Sequence, residues 1–275
     1  MKNFTCNTNC SLRDFTDSVY PQGSLYWNML LKNKDIRVNG VKVHKNIPLS
    51  CGDEVTYYTT PAQESRAVFT PVYEDENVLV ADKESGVNSE ALFSSLLEKG
   101  EYYFIHRLDR NTAGLIVFAK NKTAETELLA AFRNQKVNKV YEALCKGHFA
   151  KKADTLHAYL KKDEKHSLVF INDTPARGGV PVVTEYRVLT EYENASLVRI
   201  VLHTGKTHQI RAHMAHVSHP VLGDEKYGDH ELNASLHCTR QCLIAKELSF
   251  TLCGKLSYLN AKTFFSQKNF CNIKI

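Results

Sequence analysis

The sequence predicts an α+β fold: a large domain built on a mostly antiparallel mixed sheet, preceded by a small α+β unit. Three observations carry this. Short strand-like runs outnumber helical periods along the 275 residues. Strand–helix–strand alternations of the kind that build parallel sheets are few. A polar stretch with proline at both ends, residues 61–71, separates residues 12–60 from residues 72–275, so a small and a large domain fit the length.

The elements follow in order. Leu12 to Lys32 has mixed helical periodicity. In Asp35 to Val43, Ile36/Val38 and Val41/Val43 flank Asn39-Gly40, a pair that favours a tight hairpin turn. Gly52 to Tyr58 alternates as a strand after a Gly-Asp turn. Lys32, Lys34, Arg37, Lys42 and Lys45 cluster around the hairpin, as a phosphate-facing surface would. Residues 61–71 are expected to be a linker. Beyond it, Tyr73 to Ala81 is an acidic turn followed by a strand. Gly114 to Ala119 is continuously apolar, as a buried strand requires. Thr123 to Gln135 is an amphipathic helix with Ala124, Leu128, Ala131 and Phe132 on its apolar side. Val137 to Gly147, Val182 to Leu189 and Ser196 to His203 have strand character. Thr207 can cap a helix whose apolar face is Ile210, Met214 and Val217, with Pro220 as the stop and Arg211 in the first turns.

The net charge of +5 is compatible with a nucleic-acid partner without requiring one. No run approaches the length of a membrane-spanning helix, and the first residues lack a signal-peptide apolar region, so a cytoplasmic location with no membrane partner is expected. The eight cysteines are then expected to stay reduced. Two C-x3-C pairs, Cys6/Cys10 and Cys238/Cys242, lie too far apart in sequence to read as a zinc site and are expected to be buried or idle thiols.

Three motifs carry chemistry. His106-Arg107-Leu108-Asp109-Arg110-Asn111-Thr112-Ala113-Gly114-Leu115 places one carboxylate in a polar loop, between two arginines and ahead of a buried strand. A lone loop Asp is ordinarily a turn residue, but these flanks are unusual for one. A second block runs Gly205-Lys-Thr-His-Gln-Ile-Arg211-Ala-His213 and continues through His219-Pro220 to Gly223-Asp-Glu-Lys-Tyr-Gly228. A third, shorter block is Asn138-Lys139-Val140-Tyr141-Glu142-Ala143. Gly205-Lys-Thr is not a phosphate loop, because the required upstream glycine falls at Ile200 inside a strand. The order His106-Arg-Leu-Asp is not that of a kinase catalytic loop. His208, His213, His216 and His219 match no zinc-helix pattern, and no metal is expected.

Together these blocks resemble the RluA-type RNA pseudouridine synthases, whose motifs read H-R-L-D-x-x-T-[SA]-G-L, K-x-Y-x-A and G-R-T-H-Q-I-R-x-H followed by H-P-x-x-G-D-x-x-Y-G. The resemblance covers most of residues 72–250. More loosely, the helix, hairpin and strand of residues 12–60 resemble the S4 RNA-binding fold. The resemblance implies a pseudouridine-synthase-like catalytic domain that isomerises uridine to its C-glycoside within folded RNA, with ribosomal RNA favoured and transfer RNA the alternative. It implies Asp109 as the catalytic carboxylate, by attack on the sugar or by assisting a glycal intermediate. Arg211 would pair with Asp109. Tyr141 would stack on the uracil and handle the C5 proton. Arg107 would fill the gap left by the flipped base. His106, Arg110, Lys139, Lys206 and His208 would contact RNA, together with Lys32, Lys34, Arg37 and Lys42. No cofactor is implied, and a monomer is expected.

Some positions depart from the pattern: Ala113 for the commoner Ser, Lys206 for Arg, Lys83-Glu84-Ser85-Gly86 for K-P-x-G, and Ile244 where His is frequent. The competing reading is a non-catalytic RNA-binding or ribosome-assembly protein with a relic synthase domain. Retention of Asp109, Tyr141 and Arg211 together weighs against it. Because this trio lies beyond residue 72, removal of residues 1–60 is expected to weaken RNA binding and leave the chemistry nearly intact.

Overall fold

The computed structural model describes residues 1–163, 168–175 and 177–270. The N-terminal unit comprises β1 (Lys2–Thr5), β2 (Cys10–Ser11), α1 (Leu12–Val19), α2 (Pro21–Leu25), α3 (Trp27–Asn33), β3 (Ile36–Val38), β4 (Val41–Val43), β5 (Pro48–Leu49) and β6 (Glu54–Tyr57). The predicted hairpin forms as β3–β4, with Asn39 and Gly40 both at positive φ. The predicted helical stretch is three short helices. Pro21 cannot continue α1 and instead opens α2, and Tyr26 leaves helical geometry before α3. A strand that the sequence did not announce, β1, pairs with β6 and extends the sheet to the order β1-β6-β3-β4. Leu12, Phe15, Leu30, Ile36, Val55 and Tyr57 form this unit's own core.

Residues 61–71 are not a linker. Thr60 caps α4 (Pro61–Ser65) in a reciprocal capping box with Gln63, and β7 (Phe69–Glu74) has begun by Pro71. Two prolines read as breakers are thus a helix-opening residue and an edge-strand residue.

The large domain continues with β8 (Val78–Lys83), α5 (Ser89–Leu97), β9 (Tyr103–Phe104), β10 (Ala113–Ala119), α6 (Lys122–Arg133), β11 (Val137–Lys146), β12 (Ala153–Asp163), β13 (Leu168–Asn172), β14 (Val180–Glu191), β15 (Ala195–Leu202), α7 (Gln209–His216), α8 (His230–Ser235), β16 (Leu243–Phe250) and β17 (Thr263–Phe265). Its strands join one eleven-stranded sheet in the order β13-β12-β14-β15-β11-β16-β10-β8-β7, with β17 against β16 and β9 against β10. Among the described pairings only β10 with β16 is parallel, so the sheet is mostly antiparallel. That pair lies at the centre and is exceptionally close. Gly114 has φ +107°, and a Cβ there would overlap the backbone of Ala245. Side chains of β10 alternate between two cores, Ile116 and Phe118 to one and Leu115 and Val117 to the other. This double burial explains its unbroken apolar run.

The N-terminal unit is docked, not tethered. Ser94 Oγ on α5 donates to the Ser18 carbonyl at 2.7 Å, and Ser24 Oγ donates to the Gly86 carbonyl at 3.2 Å. Asp17 on α1 accepts Arg110 Nη1, from the loop that carries Asp109, at 3.2 Å. Residues 1–60 therefore touch the loop that holds the candidate carboxylate, through Arg110.

Candidate active site

Asp109 sits in the loop between β9 and β10. Short-range bonds fix that loop. Ser89 Oγ accepts Leu108 N–H at 3.0 Å and donates to the Leu108 carbonyl at 2.9 Å. Thr112 N–H closes a turn on the Asp109 carbonyl at 3.0 Å. Gln241 Nε2 donates to Thr112 Oγ1 at 2.9 Å. Fully buried Lys83 donates from Nζ to the carbonyls of Glu84 (3.0 Å), Val87 (2.7 Å) and Arg110 (3.1 Å). Burial lowers its pKa to about 7, against the opposing pull of the Asp109 charge. Lys83 makes these bonds with Glu84 standing where the resembled pattern has proline.

Arg211 approaches from α7. Its helix starts one residue later than predicted: His208, at φ +54°, is the cap instead of Thr207, and its side chain makes no capping bond. Gln209 holds the preceding loop, with Oε1 accepting Thr204 Oγ1–H and Lys206 N–H while Nε2 donates to the Val183 carbonyl. Arg211 Nη1 donates to Asp109 Oδ2 at 2.9 Å. Its other edge is clamped by Asp224, Nε to Oδ2 at 2.6 Å and Nη2 to Oδ1 at 2.9 Å. Asp224 is fully buried and also accepts the backbone N–H groups of Lys226 and Tyr227. Burial opposes the Arg211 charge, but the Asp224 bonds and the Asp224 and Asp109 charges outweigh it and raise the pKa. Burial likewise opposes ionisation of Asp224, and the Arg211 bonds reverse this and lower its pKa. The result is an ordered line of carboxylate, guanidinium and carboxylate, with Asp109 and Arg211 facing the cleft and Asp224 buried behind them.

Tyr141 completes the floor. It lies on β11, where the pairing with β16 shifts register between Val140 and Tyr141. Burial first, then the Asp109 charge, raises its pKa, so the phenol stays protonated at neutral pH. Asp109, Tyr141 and Arg211 all line one cleft of about 550 Å³, with Arg107, Lys139 and Lys206 among the other lining residues. Arg107 and Lys206 are exposed, and Arg107 Nη1 meets Glu90 at 2.8 Å.

Three residues expected to contact RNA also have protein partners. His106 accepts Val117 N–H at its Nε2 (3.1 Å) and stacks on Phe132, and burial lowers its pKa to about 3. It is a neutral wall residue. His208 has Nδ1 3.0 Å from Tyr227 Oη and Nε2 3.8 Å from Asp109 Oδ2. Burial brings its pKa to about 4, despite the Asp109 charge, so it too is neutral and belongs to the carboxylate's surroundings. Arg110 turns away from this cleft to Asp17. Lys32, Lys34 and Lys42 are exposed on the N-terminal unit, and Arg37 lies 4.9 Å over the Tyr58 ring.

The other three histidines of the 208–219 segment have protein partners. His213 Nδ1 lies 2.9 Å from Thr184 Oγ1, His216 Nε2 lies 2.8 Å from Asp173, and His219 Nδ1 lies 2.9 Å from the Lys146 carbonyl. The thiols of Cys6 and Cys10 face each other at 3.8 Å, and those of Cys238 and Cys242 at 3.5 Å. Four residues that shape the site had no role in the sequence reading: Lys83, Gln209, Asp224 and Tyr227. Asp224 and Tyr227 stood inside the Gly-Asp-Glu-Lys-Tyr-Gly block, but only the fold shows that one clamps Arg211 and that the other's ring lies 5.3 Å from the same guanidinium.

Such a site offers a single fixed carboxylate, a cation behind it, a protonated phenol beside it and a basic rim. That suits work on one residue of a polyanion. Comparison with known proteins agrees. Residues 76–216 match the family model described as RNA pseudouridylate synthase. The chain is 31% identical over 231 residues to the ribosomal large subunit pseudouridine synthase C of Vibrio cholerae, covering 74% of this chain and 72% of the relative. It is 35% identical over 248 residues to an uncharacterized RNA pseudouridine synthase of Aquifex aeolicus, covering 79% and 76%. The solved structure of human RNA Pseudouridylate Synthase Domain Containing 1 superposes with a TM-score of 0.58 at 26% identity, over 67% of this chain and 79% of that one. The chain belongs to the RNA pseudouridylate synthase family and is an RNA pseudouridine synthase.

Proposed function

We propose that this enzyme converts uridine to pseudouridine in ribosomal RNA, with Asp109 as the reacting carboxylate. The observation that carries the assignment is the 2.9 Å bond from Arg211 to Asp109, with Arg211 itself held by buried Asp224 at the floor of the cleft. The Vibrio cholerae relative, and one from Haemophilus influenzae at 34% identity over 172 residues, are named as ribosomal large subunit pseudouridine synthases, which favours ribosomal RNA as the substrate.

The reaction breaks the N1–C1′ bond, turns the uracil, and joins C5 to C1′, with the C5 proton passing to N1 or to solvent. Atoms and charge balance within the nucleotide, so no co-substrate is called for. The target base leaves its stack to enter the cleft. Arg107, exposed at the rim, would fill the gap by guanidinium stacking. Lys139 and Lys206 would hold flanking phosphates. Asp109 attacks C1′, or assists loss of the base to a glycal; both need an anion held in place, and Arg211 supplies its counter-charge. Tyr141 stacks on the uracil. Because its phenol is protonated at rest, it takes the C5 proton by relay, its own phenolic proton passing to the uracil N1 or to solvent as the C5 proton arrives. The exposed Lys32, Lys34 and Lys42 and the Arg37–Tyr58 pair would give the N-terminal unit an RNA-binding face. We place the enzyme in the cytoplasm as a monomer; among the described residues no helix is long and apolar enough to cross a membrane.

The test is tritium release from unmodified, 5-³H-uridine-labelled large-subunit ribosomal RNA and from transfer RNA, followed by pseudouridine mapping. Release from ribosomal RNA at a defined position is expected. Release from transfer RNA alone would overturn the substrate assignment.

A further inference from the structure

A second cleft, of about 470 Å³, lies where the N-terminal unit meets the catalytic loop, with Arg13, Ser24, Trp27, Asn28, Arg110 and Asn111 in its lining. Four observations point to its occupant. Trp27, the one Trp of the chain, lies at the cleft with the Arg13 guanidinium 4.6 Å over its ring. Next, two guanidiniums share one carboxylate. Asp17 Oδ2 accepts Arg13 Nε at 2.8 Å and Arg110 Nη1 at 3.2 Å, while Ser24 occupies Oδ1 at 2.6 Å. The remaining N–H groups of the two guanidiniums have this cleft beside them, and the Asp14 charge also acts on Arg13. Glu225, the acidic residue in the lining, is exposed to water, where its field is screened.

Third, the catalytic loop is the wall between the two clefts. Asp109 and Thr112 line one and Arg110 and Asn111 line the other. A strand that lays its uridine over Asp109 brings neighbouring nucleotides to this wall. Fourth, α3 starts at Trp27 in the cleft and leads to exposed Lys32 and Lys34 about 10 Å further on, at 1.5 Å of rise per residue. The basic face of the N-terminal unit and the catalytic cleft are thus joined through this one.

Resting on the function proposed above, we infer that the second cleft holds an unpaired nucleotide flanking the target uridine. Its base packs against the Trp27–Arg13 pair and its phosphate meets Arg13 and Arg110. Aromatic and guanidinium faces bind single-stranded bases with little regard to sequence, and neutral amides such as Asn28 and Asn111 offer both donors and acceptors to base edges. Asp17 is then a positioning residue that presents both arginines. The site would select substrates whose target lies in a loop or bulge, because a paired neighbour cannot enter.

Trp27 makes the test direct, since indole fluorescence of the full-length protein reads this cleft alone. The probe is an unmodified large-subunit ribosomal RNA transcript. Quenching of Trp27 should saturate with the same midpoint as RNA binding measured by filter retention. Trp27→Ala should raise KM roughly tenfold, the loss expected for one stacked base, and change kcat much less. Trp27→Phe, which keeps an aromatic face, should recover most of the affinity. Absence of quenching, a wild-type KM in Trp27→Ala, or a loss confined to kcat would overturn the subsite while normal wild-type turnover left the proposed function standing. Absence of wild-type turnover on that RNA would overturn the function itself. If Trp27→Ala melts at lower temperature than the parent, Trp27→Phe and the wild-type quenching decide the matter.

Discussion

Asp224→Asn isolates the contribution of the charge behind Arg211. Asp224 is fully buried and accepts four N–H groups: Arg211 Nε at 2.6 Å, Arg211 Nη2 at 2.9 Å, and the backbones of Lys226 at 2.8 Å and Tyr227 at 3.1 Å. An amide keeps the volume but has one acceptor oxygen. If that oxygen stays on the backbone N–H groups, the amide nitrogen faces Arg211 Nε, donor against donor. Breaking a buried ion pair costs about 3–5 kcal/mol. Arg211 keeps Asp109 as a partner, so the lower end, about 3 kcal/mol, is expected, or roughly 6–12 °C in Tm for a chain of this size. Arg211 is then free to follow Asp109 out of line, and misplacement of this order costs roughly 100-fold in kcat. The assay is tritium release at saturating RNA together with a thermal melt. The loss should not add to that of Arg211→Met, because both remove one unit. A variant that melts and turns over like the parent would refute the clamp.

Gly114→Ala should destabilise by about 3 kcal/mol or more, since it combines a backbone at φ +107° with overlap on Ala245; a chemical denaturation midpoint equal to wild type would contradict the close β10–β16 approach. Asp17→Asn should lower kcat several-fold although it lies in the N-terminal unit, because it frees Arg110 beside Asp109; unchanged turnover would mean that the docking is passive. Stability should fall on mild acidification. Burial depresses His208 and His213 to about 4 and His106 to about 3, below the unfolded value of about 6.5, so their contribution is complete above pH 6.5 and is lost as pH falls toward those values. A urea midpoint as high at pH 5.0 as at pH 7.5 would contradict this.

Much of the fold and of the site was legible in the sequence where local chemistry and burial agree. Gly114 to Ala119 reads as a buried strand because both of its faces are covered, and Asn39-Gly40 forces its own turn. Strand β1 was illegible because Lys2-Asn-Phe-Thr5 has one apolar side chain and gains its pairing from β6, distant in sequence. The capping signal of Thr60 and Gln63 was present but was outweighed by two prolines. At the site, the motifs brought Asp109, Tyr141 and Arg211 to one cleft. What residue type does not give is direction. His106 and His208 line the cleft as expected, but one ring nitrogen of each meets a protein group, a backbone N–H and a tyrosine hydroxyl. Arg110 could have joined the rim, but α1 places Asp17 on its other side. Asp224 was visible as part of a motif, and its role appeared only when α7 brought Arg211 against it.

Turnover by Asp109→Asn bears on the whole mechanism. The substitution removes the anion and little else: Arg211 remains neutralised by Asp224, so the fold, the melt and RNA affinity should stay close to wild type. Tritium release from 5-³H-uridine-labelled ribosomal RNA under single-turnover conditions should vanish. Release at the wild-type rate by a folded, RNA-bound Asp109→Asn would contradict the assignment of Asp109 as the reacting group.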